Sequence, residues 1–340
     1  MEYQYGSERM RVLLLTEKDV KPLLSMSEVM EAVETAFREK ALGHVQMPPK
    51  IYLSYEKYNG DLRAMPSYLE RLDVSAVKVV NSHPDNPKKF GLPTVMATII
   101  LVNPKTGAPL AIMSGSWITA MRTGAAGGIA AKYLARKDSK VIGLIGAGTQ
   151  ARTQLMALLN VYGKVEEVRV WDRSEAAREK YVSEMKLLYG EQAQIFSVGN
   201  AKDAVTDADV IVTTTPSRKP IVSDRWVSEG THINCIGADA PGKEELDPSI
   251  LKRAKIYVDD WEQGLHSGEI NVPLAEGIIT KDAVVGELGE VIAGLKPGRS
   301  SADEITIFTS TGLAIQDAVT AKLVYDKALA NNLGFWVEPL

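Results

Sequence analysis

The segment "KVIGLIGAGTQARTQLMALL", Lys140 to Leu159, constrains the fold more than any other part of the chain. An apolar run, "VIGLI", passes through a glycine turn directly into an amphipathic helical stretch, and Gly146, Gly148 and Ala151 form G-x-G-x-x-A across that turn. Each small residue has a physical reason. Gly146 permits the tight turn, Gly148 lets the backbone approach a pyrophosphate, and Ala151 lets the helix lie close to the strand, with the amides of the helix start facing the anion. Glycines alone would be a weak signal. Here a second strand, "EEVRVWD", ends at Asp172, about 20 to 25 residues on, where a carboxylate can accept hydrogen bonds from a ribose diol. Asp172 favours NAD, because it would repel a ribose phosphate, while Arg173 and Ser174 beside it leave NADP open. Further strands, "ADVIVTTT", "THINCIGAD", "AKIYVDD" and "EITIFTS", alternate with helical segments, which predicts an α/β fold with a Rossmann-type doubly wound parallel sheet. Thr213, Thr214 and Thr215 with Pro216 end one of these strands, at the edge where a dinucleotide crosses such a sheet; merely filling a strand end is the plainer alternative.

With 340 residues the chain exceeds the usual size of one hydrophobic core, so a second domain is expected. It lies before the glycine turn. "SMSEVMEAVETAFREKALG" carries Val29, Met30, Val33 and Phe37 near helical spacing, with Ser25 or Ser27 as caps. From Ile51 to Pro109, short segments rich in Val, Ile, Thr and Tyr are broken by "YNGD", "SHPDNP" and "NPKTGAP", which reads as an antiparallel sheet of hairpins. "SWITAMRTGAAGGIAAKYLA" follows as a helix of small residues suited to close packing, and the charged "RKDSK" after it marks the boundary. The final "GLAIQDAVTAKLVYDKALA" reads as a long helix with no strand after it, returning to the amino-terminal sheet. The expected division is therefore 1–136 as a substrate-binding and dimerisation domain of α+β type, 137–309 as the dinucleotide domain, and 310–340 as the returning helix.

Composition narrows the partners. A net charge of −4 provides no basic field for nucleic acid, no segment approaches the apolar length of a membrane helix, and Met1 to Arg11 lacks the apolar core of a signal peptide. The single cysteine, Cys235, forms no internal disulfide, and His44, His83, His232 and His266 show no zinc spacing. A cytoplasmic, metal-free protein with a small-molecule ligand is expected.

Charged residues that break an apolar pattern suggest where that ligand binds. In "SAVKVVN" Lys78 shares one strand face with Ala76 and Val80, and the other face is also apolar, so the lysine needs a partner. Arg122 shares its helix face with Ala125, Ala126, Ile129 and Tyr133. Asp239 follows "INCIGA" at the carboxyl end of a strand, and Arg63 in "GDLRAMP" is a weaker case. Structural alternatives exist for each: Lys78 could snorkel, Arg122 could cap a helix end, and Asp239 could be the N-cap of a helix at "PGKEEL". Two cations and a carboxylate beside a nicotinamide are nevertheless what an amino or oxo acid requires, since arginine pairs with a carboxylate through two parallel bonds and an aspartate can move a proton. His266 and Glu269 in "HSGEIN" are two candidate ligands, too few for a metal site, and read as loop structure.

At these residues the sequence resembles the ornithine cyclodeaminase and mu-crystallin family, most closely its archaeal alanine dehydrogenase branch. The matching blocks include "QMPPKIYL", "GDLRAMP", "VKVVNSHPDNP", "MRTGAAGGIAAKYLAR", "GAGTQA", "TTTPSRKP", "EGTHINCIGADAPGKEELD", "GEIN" and "FTSTGLAIQD", and they span Gln46 to Asp317. The resemblance implies that Lys78 is the substrate lysine, that Arg122, with Thr123 beside it, binds the substrate carboxylate, and that Asp239 is the acid/base. It places Lys50 and Arg63 in the pocket and gives nucleotide contacts to Gly146, Gly148, Thr149, Gln150, Asp172, Thr214, Thr311 and Gly312. It also implies a homodimer whose amino-terminal sheets join into a closed barrel. Cyclodeaminases usually carry a glutamate where Arg63 stands, and an arginine would repel ornithine's second cation. The expected activity is therefore NAD(H)-dependent interconversion of a short L-amino acid, best matched by alanine, with its imine or 2-oxo acid. Ornithine cyclodeamination, cyclic imine reduction and non-enzymatic dinucleotide and hormone binding are the alternatives.

Overall fold

A computed structural model describes residues 11–338. The opening residues judged too polar for a signal peptide lie, except for Arg11, outside the described residues. The chain forms two compact units, one made of the residues up to Arg122 with those from Ala314 onward, the other of Thr123–Leu313. The first division falls inside the helix Ser116–Leu134, whose residues from Thr123 pack with the second unit: a Cβ on Gly124 would come 2.5 Å from the Thr153 carbonyl oxygen, and one on Gly127 would overlap the Gln154 amide. The small residues of that helix are thus a packing requirement, as their clustering suggested.

The first unit is an α+β layer. Its strands are β1 (Val12–Leu15), β2 (Val45–Gln46), β3 (Ile51–Tyr55), β4 (Gly60–Leu69), β5 (Val74–Ser82), β6 (Val95–Val102) and β7 (Pro109–Ser114), joined by a short strand at Phe335–Val337. The order is Phe335–Val337, β1, β7, β6, β5, β4, β2, with β3 also on β4. β4 to β7 form an antiparallel meander, as the turn signals predict, but β1 joins it parallel to β7. The helices Met26–Ala41 and Ala314–Ala330 pack on each other, and the second covers β4, β5 and β6. Ser25 caps the first helix by accepting from the Glu28 N–H, and Val29, Val33 and Phe37 are fully buried, each worth about 1.5–3 kcal/mol. The expectation of no strand after the last helix is corrected by Phe335–Val337, which pairs antiparallel with β1. Three residues at a sheet edge are too few for an alternating pattern to show.

The second unit holds an eight-stranded sheet paired in parallel throughout. Its members are β8 (Val141–Ile145), β9 (Glu167–Trp171), β10 (Gln194–Ser197), β11 (Val210–Thr213), β13 (His232–Cys235), β15 (Ala254–Val258), β16 (Val284–Glu287) and β17 (Ile305–Thr309), in the order β10, β9, β8, β11, β13, β17, β15, β16. A separate parallel pair is formed by β12 (Arg218–Val222) and β14 (Glu244–Leu246). Each face carries its own core. Val210 and Val212 of β11 join Leu155, Leu158 and Tyr181 on one side, while Ile211 joins Ile233, Ile250 and Ile307 on the other. Burial on both faces is why these strands read as continuous apolar runs. The order reverses between β8 and β11, which places a switch point beside the glycine turn.

Candidate active site

In the first unit the pattern-breaking cations converge. Alternation along β5 turns Lys78 onto the face covered by the Ala314–Ala330 helix, where it is 1% exposed and therefore does not snorkel. Its Nζ lies 2.6 Å from Oδ2 of Asp317, without the angle of a hydrogen bond, so the contact is chiefly coulombic. Arg122 lies in the second turn of its helix and so does not cap an end; its Nε donates to Oδ1 of the same Asp317 at 2.9 Å, and its Nη1 donates to the Gln316 side-chain oxygen at 3.0 Å. Burial first, then the Arg122 charge, pushes the Lys78 ammonium down to about 7, with Asp317 opposing and Lys50 adding to the fall. Lys78 and Arg122 thus face one carboxylate, with the Lys50 charge also acting on Lys78, a local positive charge suited to an anionic ligand. Arg63, also buried, donates to Asp61 at 2.8 Å and lies 5.4 Å from the Tyr52 ring.

Asp317 and Gln316 were missed by the sequence reading. The signal was present: Asp317 interrupts the apolar run Ala314, Ile315 and Ala318, the same anomaly that singled out Arg122. What the local pattern could not show is that both cations choose it.

In the second unit the glycine turn has the form its residues demand. Gly146 takes φ +105°, and a Cβ there would come 2.5 Å from Thr214 Oγ1. At Gly148, the N-cap of the helix Thr149–Tyr162, a Cβ would meet no protein atom within 4 Å. Packing therefore does not explain that glycine. The open space lies before the first-turn N–H groups of Thr149 and Gln150, which have no intrahelical acceptor, and a pyrophosphate fits it. Asp172 follows β9 and accepts from the N–H groups of Ala147 and Ser174, so its carboxylate braces the turn; Arg173 beside it is exposed. Thr214 donates its N–H and hydroxyl to the Ile145 carbonyl, tying the ends of β8 and β11 together. The Thr311–Gly312 turn is held by the fully buried Asp259, which accepts from both N–H groups and from the Thr311 hydroxyl. Asp259 is a further residue that sequence reasoning missed.

Asp239 lies beyond the end of β13, with Lys243 Nζ 2.6 Å from its Oδ1. The alternative of an N-cap is corrected: "PGKEEL" forms a turn and then β14, with no helix to cap. Thr123, in this unit, is buried, and its carbonyl accepts from Gln154. His266 ends a short helix and Glu269 is buried in the loop that follows; no group of three or more metal-ligating side chains occurs among the described residues. Nor is any helix among them long and apolar enough to cross a membrane.

The sequence model of the ornithine cyclodeaminase/mu-crystallin family matches residues 10–332. Alanine dehydrogenase of Archaeoglobus fulgidus is 57% identical over 325 residues, 96% of this chain and 98% of that one. An archaeal alanine dehydrogenase dimer solved with bound NAD is similar at TM-score 0.92 and 56% identity, covering 97% of this chain and all of that one. The Delta(1)-pyrroline-2-carboxylate reductase of Thermococcus litoralis, solved with NADH and L-proline, also reaches TM-score 0.92, at 46% identity, covering 95% of this chain and 99% of that chain.

Proposed function

The chain belongs to the ornithine cyclodeaminase/mu-crystallin family, and from that membership we propose that it is an NAD(H)-dependent amino acid dehydrogenase. In the favoured reaction L-alanine, NAD and water give pyruvate, ammonia and NADH. The observation that carries this reading is the buried cluster in which Lys78 and Arg122 meet at Asp317 with a surplus of positive charge. A surplus cation on a fixed guanidinium suits a substrate carboxylate.

NAD, when bound, accepts the hydride from the substrate α-carbon. The glycine turn with Thr149 and Gln150 would hold its pyrophosphate, Asp172 its ribose, and Thr214 with the Thr311–Gly312 turn the remainder. Arg122, with Thr123 next to it in the chain, orients the carboxylate. Lys78, whose proton is held loosely, polarises the imine or oxo carbon that accepts hydride in the reverse direction, and Asp239 moves the proton as amine and imine interconvert and water adds. Lys50 and Arg63 supply further positive charge, which disfavours ornithine with its distal amine. The Rossmann unit takes the dinucleotide and the α+β unit the substrate. We also read the enzyme as a cytoplasmic homodimer that pairs through its first unit.

Purified enzyme with NAD and L-alanine should generate NADH absorbance, and the reverse reaction should consume NADH with pyruvate and ammonia. Asp239→Asn should still bind NADH while turnover falls about 100-fold or more; unchanged turnover removes Asp239 from the mechanism. Similarity to the Thermococcus reductase favours a second reading, reduction of pyrroline-2-carboxylate. NADH oxidation with that cyclic imine but not with pyruvate and ammonia selects it. Proline and ammonia from ornithine with no net NADH change identifies a cyclodeaminase, and NADH binding with no turnover a binding protein.

A further inference from the structure

Two glutamates the reaction does not use lie fully buried at the carboxyl edge of the parallel sheet. Glu245 Oε1 accepts from the Thr215 N–H at 2.6 Å and from the Thr215 hydroxyl at 2.7 Å, and its Oε2 accepts from the Gly237 N–H at 3.0 Å. Glu269 Oε1 accepts from the N–H groups of Glu245 and Leu246 at 2.8 and 2.6 Å. The Glu269 N–H donates to Thr309 Oγ1 at 2.8 Å, and the preceding Gly268 N–H donates to the Ala238 carbonyl at 2.6 Å. Glu269 Oε2 is buried without a hydrogen-bond partner. The Glu245 side chain therefore ties the ends of β11 and β13 to β14, the Glu269 side chain holds the β14 backbone, and the Glu269 N–H reaches the end of β17, next to Thr214, Asp239 and the Thr311–Gly312 turn.

We propose that Glu245 and Glu269 are positioning residues for the dinucleotide, a buried carboxyl pair that fixes the ends of β11 and β13 against β14, and that this arrangement holds while the pair carries no more than one negative charge. The proposal rests on the dinucleotide reading above. Two ionised carboxylates in a dry site repel each other, whereas a pair holding one proton can accept the backbone N–H groups without that repulsion. Burial raises both carboxyls above the usual carboxylate range, and for Glu269 the Glu245 charge adds to the rise. Titratable groups that act with the pair include Cys235, whose thiol burial and then the two glutamates push up, and Glu244, which raises Glu269 further. None of them is a cation that would stabilise a second negative charge. As pH rises the proton leaves, repulsion loosens the strand ends, and the dinucleotide is held less well.

The test is NADH affinity by fluorescence titration between about pH 6.5 and pH 9, for wild type, Glu269→Gln and Glu245→Gln, with melting temperature recorded alongside. Glutamine at 269 keeps the Oε1 acceptor and never ionises. Wild-type affinity should weaken toward alkaline pH, and Glu269→Gln should abolish most of that decline, so that the two differ by about ten-fold at the alkaline end while agreeing at the acid end. A purely structural pair would shift melting temperatures and leave the pH profile of NADH binding in place. Parallel pH profiles for wild type and for every variant that folds would overturn the proposal while leaving the dinucleotide reading standing; no NADH binding by wild type at any pH would remove both.

Discussion

Asp317 joins two cations that would otherwise repel each other in a buried site, and the chain is sensitive to its loss. Replacing it by Asn leaves Lys78 and Arg122 uncompensated, at a cost of about 3–5 kcal/mol in urea unfolding. An unaltered midpoint would mean that the ion pairs contribute no net stability. Lys78 has its own pH signature. Its folded pKa is depressed by burial and Arg122 to about 7 from 10.5, so between those values the folded chain binds fewer protons than the unfolded one. Stability contributed by this group is therefore greatest above the upper value and lost as pH falls through the lower one. Wild-type stability relative to Lys78→Met should rise with pH across that window, and a flat difference would show that Lys78 titrates normally.

At the scale of the element, the strand–turn–helix unit separates two uses of glycine. Gly146 needs its positive φ and has Thr214 Oγ1 in the path of any Cβ, so Gly146→Ala should destabilise the fold itself. Gly148 has φ −84°, which any residue adopts, and open space in front of it. Gly148→Ala should leave unfolding within about 0.5 kcal/mol of wild type while weakening NADH binding about ten-fold or more. Equal NADH affinity would show that the pyrophosphate does not pass over this residue. The helix Ser116–Leu134 shows the same logic in its packing, since Gly124 and Gly127 face Thr153 and Gln154 too closely for any larger side chain.

At the scale of the whole molecule, β3 is a sheet edge whose Ile51, Tyr52 and Leu53 are all exposed, an arrangement that solitary proteins avoid. If the homodimer forms through this edge, Leu53→Glu should shift the enzyme toward monomer in light scattering, and an unchanged mass would place the interface elsewhere. Much of this architecture was legible in the chain. The parallel sheet, the glycine turn and the anomalous Lys78 and Arg122 all announce themselves through residue spacing, because strand and helix periodicities and positive φ act over a few neighbouring residues. The three-residue strand at Phe335–Val337 was too short to do so. Asp259, Asp317 and the Glu245–Glu269 pair were not identified as partners, because their roles depend on which faces meet: Arg122 and Asp317 are 195 positions apart. The sequence by itself determined the local elements and which residues were misplaced in them. Only the tertiary structure decided what those residues bind, since the pairing of buried charges follows from packing between distant segments.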